Sequence, residues 1–346
     1  MRRRMATTPG GAGPAGPAAG PPIVTEGLVR RFGSVTAVGG VDLCVEQGEI
    51  FGFLGPNGAG KTTCVRMLVT LLRPTAGTAR VAGFDVVADP FAVRRAIGVA
   101  LQEAAIDPFM SGRELLHLQG ALHGVDRRRT RARAGELLER VGLAAVADDQ
   151  VSTYSGGMRR RLDLAMALLH EPEVLFLDEP TVGLDPLSRA TVWDEVRALN
   201  AEVGTTVFLT THYLEEADRL AGRVAIIDGG VIVKEGRPER LRAELGQPVL
   251  SVTVVPGDEA RAREVLSRFG PIVACPAPTV AIRLSGGAGA MAPVIRALDD
   301  ERLTPVTVEL TPPSLDDVFA AVTGRSPGPS DVAEEGPAQP AGVGGE

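Results

Sequence analysis

A glycine-rich loop, GPNGAGKTT at residues 55–63, joins an apolar run to a helical pattern. The run is Ile50-Phe51-Gly52-Phe53-Leu54, and the loop reads G-x-x-x-x-G-K-T from Gly55 to Thr62. Strand, glycine loop and helix in that order is the context this phosphate-binding pattern requires. Gly55, Gly58 and Gly60 let the backbone curl so that successive N–H groups turn inward. Those donors and the helix N-terminus form an anion site, with Pro56, Asn57, Ala59, Lys61, Thr62 and Thr63 completing the cradle. Thr62 offers a hydroxyl to a magnesium ion. The loop by itself specifies a nucleotide, ATP or GTP.

Lys61 is also one of only two lysines among thirty-six basic residues; the other is Lys234 and the rest are arginine. An ammonium on a slim stem reaches the outer phosphates through a narrow loop. A guanidinium fork is broader and directs its donors differently.

A hydrolase acting on such a nucleotide needs a carboxylate for the metal and a base for water. The run VLFLDEP, residues 174–180, supplies both. Its apolar residues predict a buried strand with Asp178 at the end, placed to hold Mg²⁺. Glu179 is expected to point the other way and to polarise the attacking water. Further on, YSGGMRRRLDLAMALL places Ser155-Gly156-Gly157 at the start of an amphipathic helix. Taken alone this is either an ordinary helix cap or a second phosphate cradle.

Short β-branched runs near residues 97–101, 174–177, 206–209 and 224–227 alternate with helical patterns, which predicts a mainly parallel sheet covered on both faces. An arginine-rich helical stretch, about residues 111–141, interrupts them. Residues 247–324 read as β–α–β–β–α–β plus a short helix, a ferredoxin-like plan. On that last helix Leu315, Val318, Phe319 and Val322 share one face, suited either to docking on a neighbour or to the domain's own core. Residues 1–21 and 325–346 are Gly/Pro/Ala-rich and are expected to be disordered tails.

Composition narrows the function. A net charge of −7 argues against bulk nucleic-acid binding. Cys44, Cys64 and Cys275 have no metal-site spacing, as expected for a reducing cytoplasm. The N-terminal MRRRM is followed by a Gly/Pro/Ala segment rather than an apolar core, so no signal peptide is expected. No apolar stretch is long enough to predict a membrane span.

These motifs, in this order, resemble those of ATP-binding-cassette (ABC) ATPase subunits over about residues 22–243. GPNGAGKTT resembles the Walker A loop and residues 174–179 the Walker B strand with its catalytic glutamate. Gln102 resembles the Q-loop glutamine, with a place in catalysis and beside the metal. Ser155-Gly156-Gly157-Met158 resembles the signature motif, Gly183-Leu184-Asp185 the D-loop, and His212 the switch histidine. Phe32 stands where the family stacks an aromatic ring on adenine. Tyr154 and Met158 depart from the usual Leu and Gln of the signature, and Phe32 replaces the usual Tyr. The continuation MRRRLDLAMALLHEPEVLFLDEPTVGLDP and the C-terminal TPPSLDDVFAAVTG are similar to daunorubicin-resistance-type ATP-binding subunits.

The resemblance implies an α/β P-loop NTPase fold. Its parts are a mainly parallel sheet, an antiparallel β edge, a helical insertion at about residues 103–170, and a small α+β C-terminal domain at 247–324. It implies ATP and Mg²⁺ as ligands and an ATP-dependent homodimer in which Ser155-Gly156-Gly157 of one chain completes the Lys61 site of the other. It implies a separate integral-membrane permease, docked on about residues 103–124, and a place on the cytoplasmic face of the cell membrane. The arginines of residues 127–133 then read as a solvated helix face or, second, as a membrane-surface contact. The function implied is to power export of a hydrophobic drug or antibiotic. The alternatives are a lipid or polysaccharide exporter and a soluble ABC protein acting on ribosome or DNA. Paired cassettes, zinc cysteines or long coiled coils would mark the last, and this chain has none of their signatures.

Substituting Lys61→Arg keeps the charge and changes the shape. It is expected to nearly abolish ATP binding or turnover, measured by fluorescent-nucleotide titration and phosphate release. Turnover within a few-fold of the unsubstituted protein would contradict the steric argument.

Overall fold

The computed structural model describes residues 20–101 and 106–324. Most of both expected tails, and Gln102, therefore lie outside the described residues. The chain divides between Leu241 and Arg242 into two compact units.

The first unit opens with β1 (Ile23–Phe32) and β2 (Val35–Val45), followed by β3 (Ile50–Leu54) and α1 (Lys61–Leu68). Next come β4 (Ala76–Val81), β5 (Phe84–Asp85), α2 (Pro90–Ala96) and β6 (Ile97–Ala100). The helical insertion carries α3 (Gly112–Leu122), α4 (Arg127–Arg140) and α5 (Gly156–Leu168). The chain then returns through β7 (Val174–Asp178), α6 (Pro186–Val203), β8 (Thr206–Thr211), α7 (Leu214–Leu220), β9 (Arg223–Asp228), β10 (Val231–Gly236) and α8 (Pro238–Leu245).

Two sheets result. β2-β1-β4-β5 is antiparallel, and the larger sheet runs β10-β9-β3-β8-β7-β6. In the larger sheet β6, β7, β8, β3 and β9 are mutually parallel, and β10 adds an antiparallel edge. Parallel strands covered on both faces read as unbroken apolar runs, and every residue of β3, β7 and β8 is buried. Phe208 is the hub of this sheet. Its ring centroid lies 5.7 Å from that of Phe51, 5.5 Å from Phe53 and 5.6 Å from Phe176.

The insertion packs by its apolar stripes, with Leu115, Leu116, Leu137, Leu138 and Leu162 in one core. Ser111 starts α3 with a reciprocal cap: its hydroxyl accepts from the Glu114 amide, and the Glu114 carboxylate accepts from the Ser111 amide. Within residues 111–141 the expected helical stretch consists of two helices, separated at Gly124, whose φ is 71°.

The second unit contains β11 (Val249–Thr253), α9 (Glu259–Ser267), β12 (Ile272–Val273), β13 (Thr279–Arg283), α10 (Met291–Asp300), β14 (Thr307–Thr311) and α11 (Leu315–Thr323). Its sheet order is β12-β13-β11-β14, all antiparallel, over a core that includes Leu250, Leu266, Ile282 and Leu298. The second strand of the expected β–α–β–β–α–β order is only two residues long, Ile272–Val273. Pro271 has no N–H to give the ladder and the Cys275–Pro276 segment turns away. On α11, Leu315, Val318 and Phe319 are buried and Val322 is half-buried, so that face is not an open docking surface. Among the described residues no helix is long and apolar enough to cross a membrane.

Phe208→Ala deletes the ring on which three others pack. It is expected to destabilise the first unit by about 3–5 kcal/mol. The exposed Leu71→Ala should change stability by about 0.5 kcal/mol or less. Denaturant unfolding of both variants checks this, and equal effects would contradict the hub assignment.

Candidate active site

Three parallel strands end at one edge of the larger sheet, and the chain turns there into Gly55, Glu179 and His212. In open parallel sheets that carboxyl edge is where ligands bind.

The loop after β3 is held close against its neighbours. A Cβ on Gly55 would lie 2.4 Å from the Ile227 carbonyl oxygen. At Gly60 φ is 108°, and a Cβ would lie 2.6 Å from the Ala37 carbonyl oxygen. The Ala59 carbonyl accepts from the Gly230 amide at 3.1 Å, and the Ala59 amide donates to the Pro56 carbonyl at 3.2 Å. Asn57 and Gly58 form the exposed tip. Helix α1 starts at Lys61, so the first-turn amides of Lys61, Thr62 and Thr63 have no carbonyl within the helix to pair with.

Lys61 is buried. Its Nζ donates to the Gly55 carbonyl at 2.7 Å and the Pro56 carbonyl at 3.2 Å. It also lies 3.3 Å from Glu179 Oε1. Burial pulls its pKa below the ordinary lysine value, and the Glu179 carboxylate opposes that fall. His212 Nδ1 lies 3.4 Å from the same Glu179 oxygen, within ion-pair reach but without hydrogen-bond alignment. His212 first, and Lys61 after it, hold the Glu179 carboxyl below the usual carboxylate range against the opposing effect of burial.

Asp178 and Glu179 face different neighbours, as expected of adjacent residues at a strand end. Asp178 Oδ1 accepts from the Thr210 hydroxyl and lies 3.5 Å from the Thr62 hydroxyl. The Glu179 amide donates to the Thr210 carbonyl at 3.0 Å. Glu179 itself has φ of 50°, a left-handed conformation that costs a non-glycine residue about 1–2 kcal/mol. Thr62 and Asp178 together offer two hard oxygens. That is the donor set Mg²⁺ takes from protein when phosphates and waters fill its remaining positions.

The remaining sequence-predicted residues lie apart from this cluster. Ser155 caps α5, its hydroxyl accepting from the Met158 amide at 3.2 Å, and Ser155 and Gly156 are exposed. Gly157 rests against α6, where a Cβ would lie 2.9 Å from Ser188 Oγ. Asp185 caps α6, accepting from the amides of Leu187 at 3.1 Å and Ser188 at 3.0 Å. Among the described residues no hydrogen bond or ion pair joins these four to Lys61 or Glu179. Phe32 ends β1 half-exposed, with the Arg30 guanidinium 4.5 Å from its ring centroid. Both signature departures have a packing reason. Tyr154 is buried and its hydroxyl donates to the Val146 carbonyl at 2.6 Å, while Met158 packs against the same core.

Sequence reasoning missed two residues. Thr210 is one of three threonines in β8, so its residue type alone does not single it out. Arg160 hides in a run of three arginines, where nothing in the pattern separates it from its neighbours.

Comparison with known proteins agrees with this geometry. Residues 38–182 match the ABC transporter family. The chain is 48% identical over 303 residues to the daunorubicin resistance ATP-binding protein DrrA3 of Streptomyces coeruleorubidus, covering 87% of this chain and 96% of that protein. It is 47% identical over 308 residues to the daunorubicin/doxorubicin resistance ATP-binding protein DrrA of Streptomyces peucetius, covering 88% and 92%. Among solved structures, the ATP-binding subunit of an ABC transporter superposes with a TM-score of 0.60 at 24% identity, covering 65% of this chain and 93% of that one. With the loop, the paired carboxylates and the histidine gathered at one sheet edge, the chain belongs to the ATP-binding subunits of the ABC transporter family.

Proposed function

We propose that this chain is the ATP-hydrolysing subunit of a drug or antibiotic exporter, driving a separate membrane permease from the cytoplasmic face. The observation that carries this reading is the convergence of Lys61, Asp178, Glu179 and His212 at one sheet edge. The likeness to drug-resistance ATP-binding proteins over nearly their whole length supports the cargo class.

In this reading the loop amides and Lys61 bind the ATP phosphates, and Phe32 stacks on the base. Phosphate replaces Glu179 as the partner of Lys61, and the released carboxylate accepts a proton from the attacking water. His212 donates toward the γ-phosphate, and Gln102 ties the site to the helical insertion. Thr62 and Asp178 would hold Mg²⁺, which supplies positive charge against the transferring phosphoryl group.

Ser155, Gly156 and Gly157 of a second copy complete the site, so two chains arranged head to tail make two whole sites. The exposure of Ser155 and Gly156 in the single chain supports a role facing a partner. Asp185, capping α6 beside them, belongs to the same surface. Docking of the permease is assigned to the helical insertion, where Phe109 is 78% exposed and Leu122 is 73% exposed.

Glu179→Gln is expected to bind ATP normally and to hydrolyse it about 10²–10⁴-fold more slowly, the range for removing a general base. Slow hydrolysis should then hold two chains together, read by size-exclusion chromatography with light scattering at saturating Mg-ATP. Adding Ser155→Arg should return the protein to monomer. A Glu179→Gln protein that turns over ATP normally, or stays monomeric with ATP both free and on the permease, would overturn the reading.

A further inference from the structure

We propose that Arg160, on the helix that begins at Ser155-Gly156-Gly157, is a positioning residue for Glu179. Its guanidinium reaches from α5 to the end of β7. Nε donates to the Pro180 carbonyl at 2.8 Å, and Nη2 donates to the Asp178 carbonyl at 3.1 Å. One planar fork thus holds the carbonyls of the residues directly before and directly after Glu179. Nη1 donates to the Leu101 carbonyl, at the end of β6, and to Asp163 Oδ2 at 3.1 Å. The side chain is only 11% exposed.

The clamp bears on a strained conformation at a residue whose amide the Thr210 carbonyl also holds. Glu179 is left-handed, and an L-residue leaves that region unless its surroundings over-determine it. The Asp178 carbonyl lies in the peptide plane that leads into the Glu179 Cα, so holding it fixes one of the two planes that direct the Cα–Cβ bond. The Pro180 carbonyl lies one plane further on, and the ring-locked φ of Pro180 ties it back to the plane between Glu179 and Pro180. An ammonium is a compact point donor, whereas the rigid guanidinium fork spreads its donors in one plane and reaches the Leu101, Asp178 and Pro180 carbonyls together. The neighbouring arginines reach elsewhere. Arg159 donates to the Tyr154 carbonyl at 3.1 Å and Arg161 to the Val141 carbonyl at 2.6 Å. Only the middle residue of the run reaches the carboxylate strand.

Arg160 lies on the second turn of α5, close behind Ser155 and Gly156. Any shift of α5 when those residues engage a nucleotide is passed through the fork to the backbone of Glu179. This coupling rests on the function proposed above. Glu179 reaches its working position only when α5 is seated.

The test uses the full chain with Arg160→Gln and Arg160→Lys. ATP-analogue affinity, kcat and KM are measured in each, and again with Glu179→Gln added. The expected result is a fall in kcat of about 10- to 100-fold for Arg160→Gln, the cost of a slightly misplaced catalytic group. Nucleotide affinity should stay within about threefold, Arg160→Lys should recover only part of the rate, and Arg160→Gln should lower the residual rate no further once Glu179 is Gln. If Arg160→Gln does not fold, Arg160→Lys carries the same comparison. A kcat within twofold of the unsubstituted protein, or an equal fold-loss with and without Glu179, would overturn the proposal. Normal turnover by Glu179→Gln alone would instead overturn the general-base reading, so the two failures are distinguishable.

Discussion

Two opposite charges, Lys61 and Glu179, are buried 3.3 Å apart at the carboxyl edge of a parallel sheet, and the architecture around them serves to hold them there. Taking both out of water is costly, and a buried pair of this kind is weak as a source of stability. Its value lies in what it prepares. Lys61 is desolvated, donates to two loop carbonyls and faces one carboxylate. A phosphate entering the loop offers it more negative charge and more acceptor oxygens than Glu179 does. In the proposed mechanism the event that binds nucleotide therefore frees the carboxylate, so that water would meet a base only when substrate is in place. Each strand contributes one part: β3 delivers Lys61 through the glycine loop, β7 delivers Asp178 and Glu179, and β8 delivers Thr210 and His212. Phe51, Phe53 and Phe176 pack on Phe208 beneath these strand ends.

The proposed mechanism places the other half of the site on α5. Ser155 and Gly156 open that helix on the surface, away from the buried cluster of their own chain, which is the placement a site shared between two copies needs. The unusual Tyr154 and Met158 do not disturb it. Tyr154 satisfies its hydroxyl on a backbone carbonyl inside the helical insertion, and Met158 fills the adjoining core. The motif thus keeps the Ser-Gly-Gly that the proposed mechanism turns toward phosphate and changes only residues that anchor the helix. Arg160, one turn further on, joins this surface helix to the buried carboxylate.

Much of the site was legible because it depends on local rules. A glycine loop between an apolar run and a helix, and two carboxylates closing a second apolar run, each state their role within a few residues. The opposed directions of Asp178 and Glu179 followed from adjacency at a strand end. The architecture of the first unit was also readable, since parallel strands buried on both faces leave long apolar signatures. What could not be read depends on contacts distant in sequence. Arg160 has the same local context as Arg159 and Arg161, and only the packing of α5 on β7 distinguishes it. The left-handed Glu179 is equally silent, because nothing in its own residue type asks for positive φ. In the second unit the apolar periodicity of α11 was plain, but whether that face stays open or becomes buried is decided by tertiary packing. The role of Gln102 rests on family likeness alone, as that residue lies outside the described residues.

With only two lysines in the chain, the Lys61 ammonium can be followed by NMR with little overlap, through a pH titration of the lysine side-chain signals. The account predicts that Glu179→Gln lowers the titration midpoint of Lys61 in the nucleotide-free protein, because the carboxylate that supports its charge is gone. It predicts also that this difference vanishes when Mg-ATP is bound, because phosphate has then become the partner of Lys61 in both proteins. An identical midpoint in the two nucleotide-free proteins, or a difference that persists with nucleotide bound, would contradict the exchange of partners on which the mechanism rests.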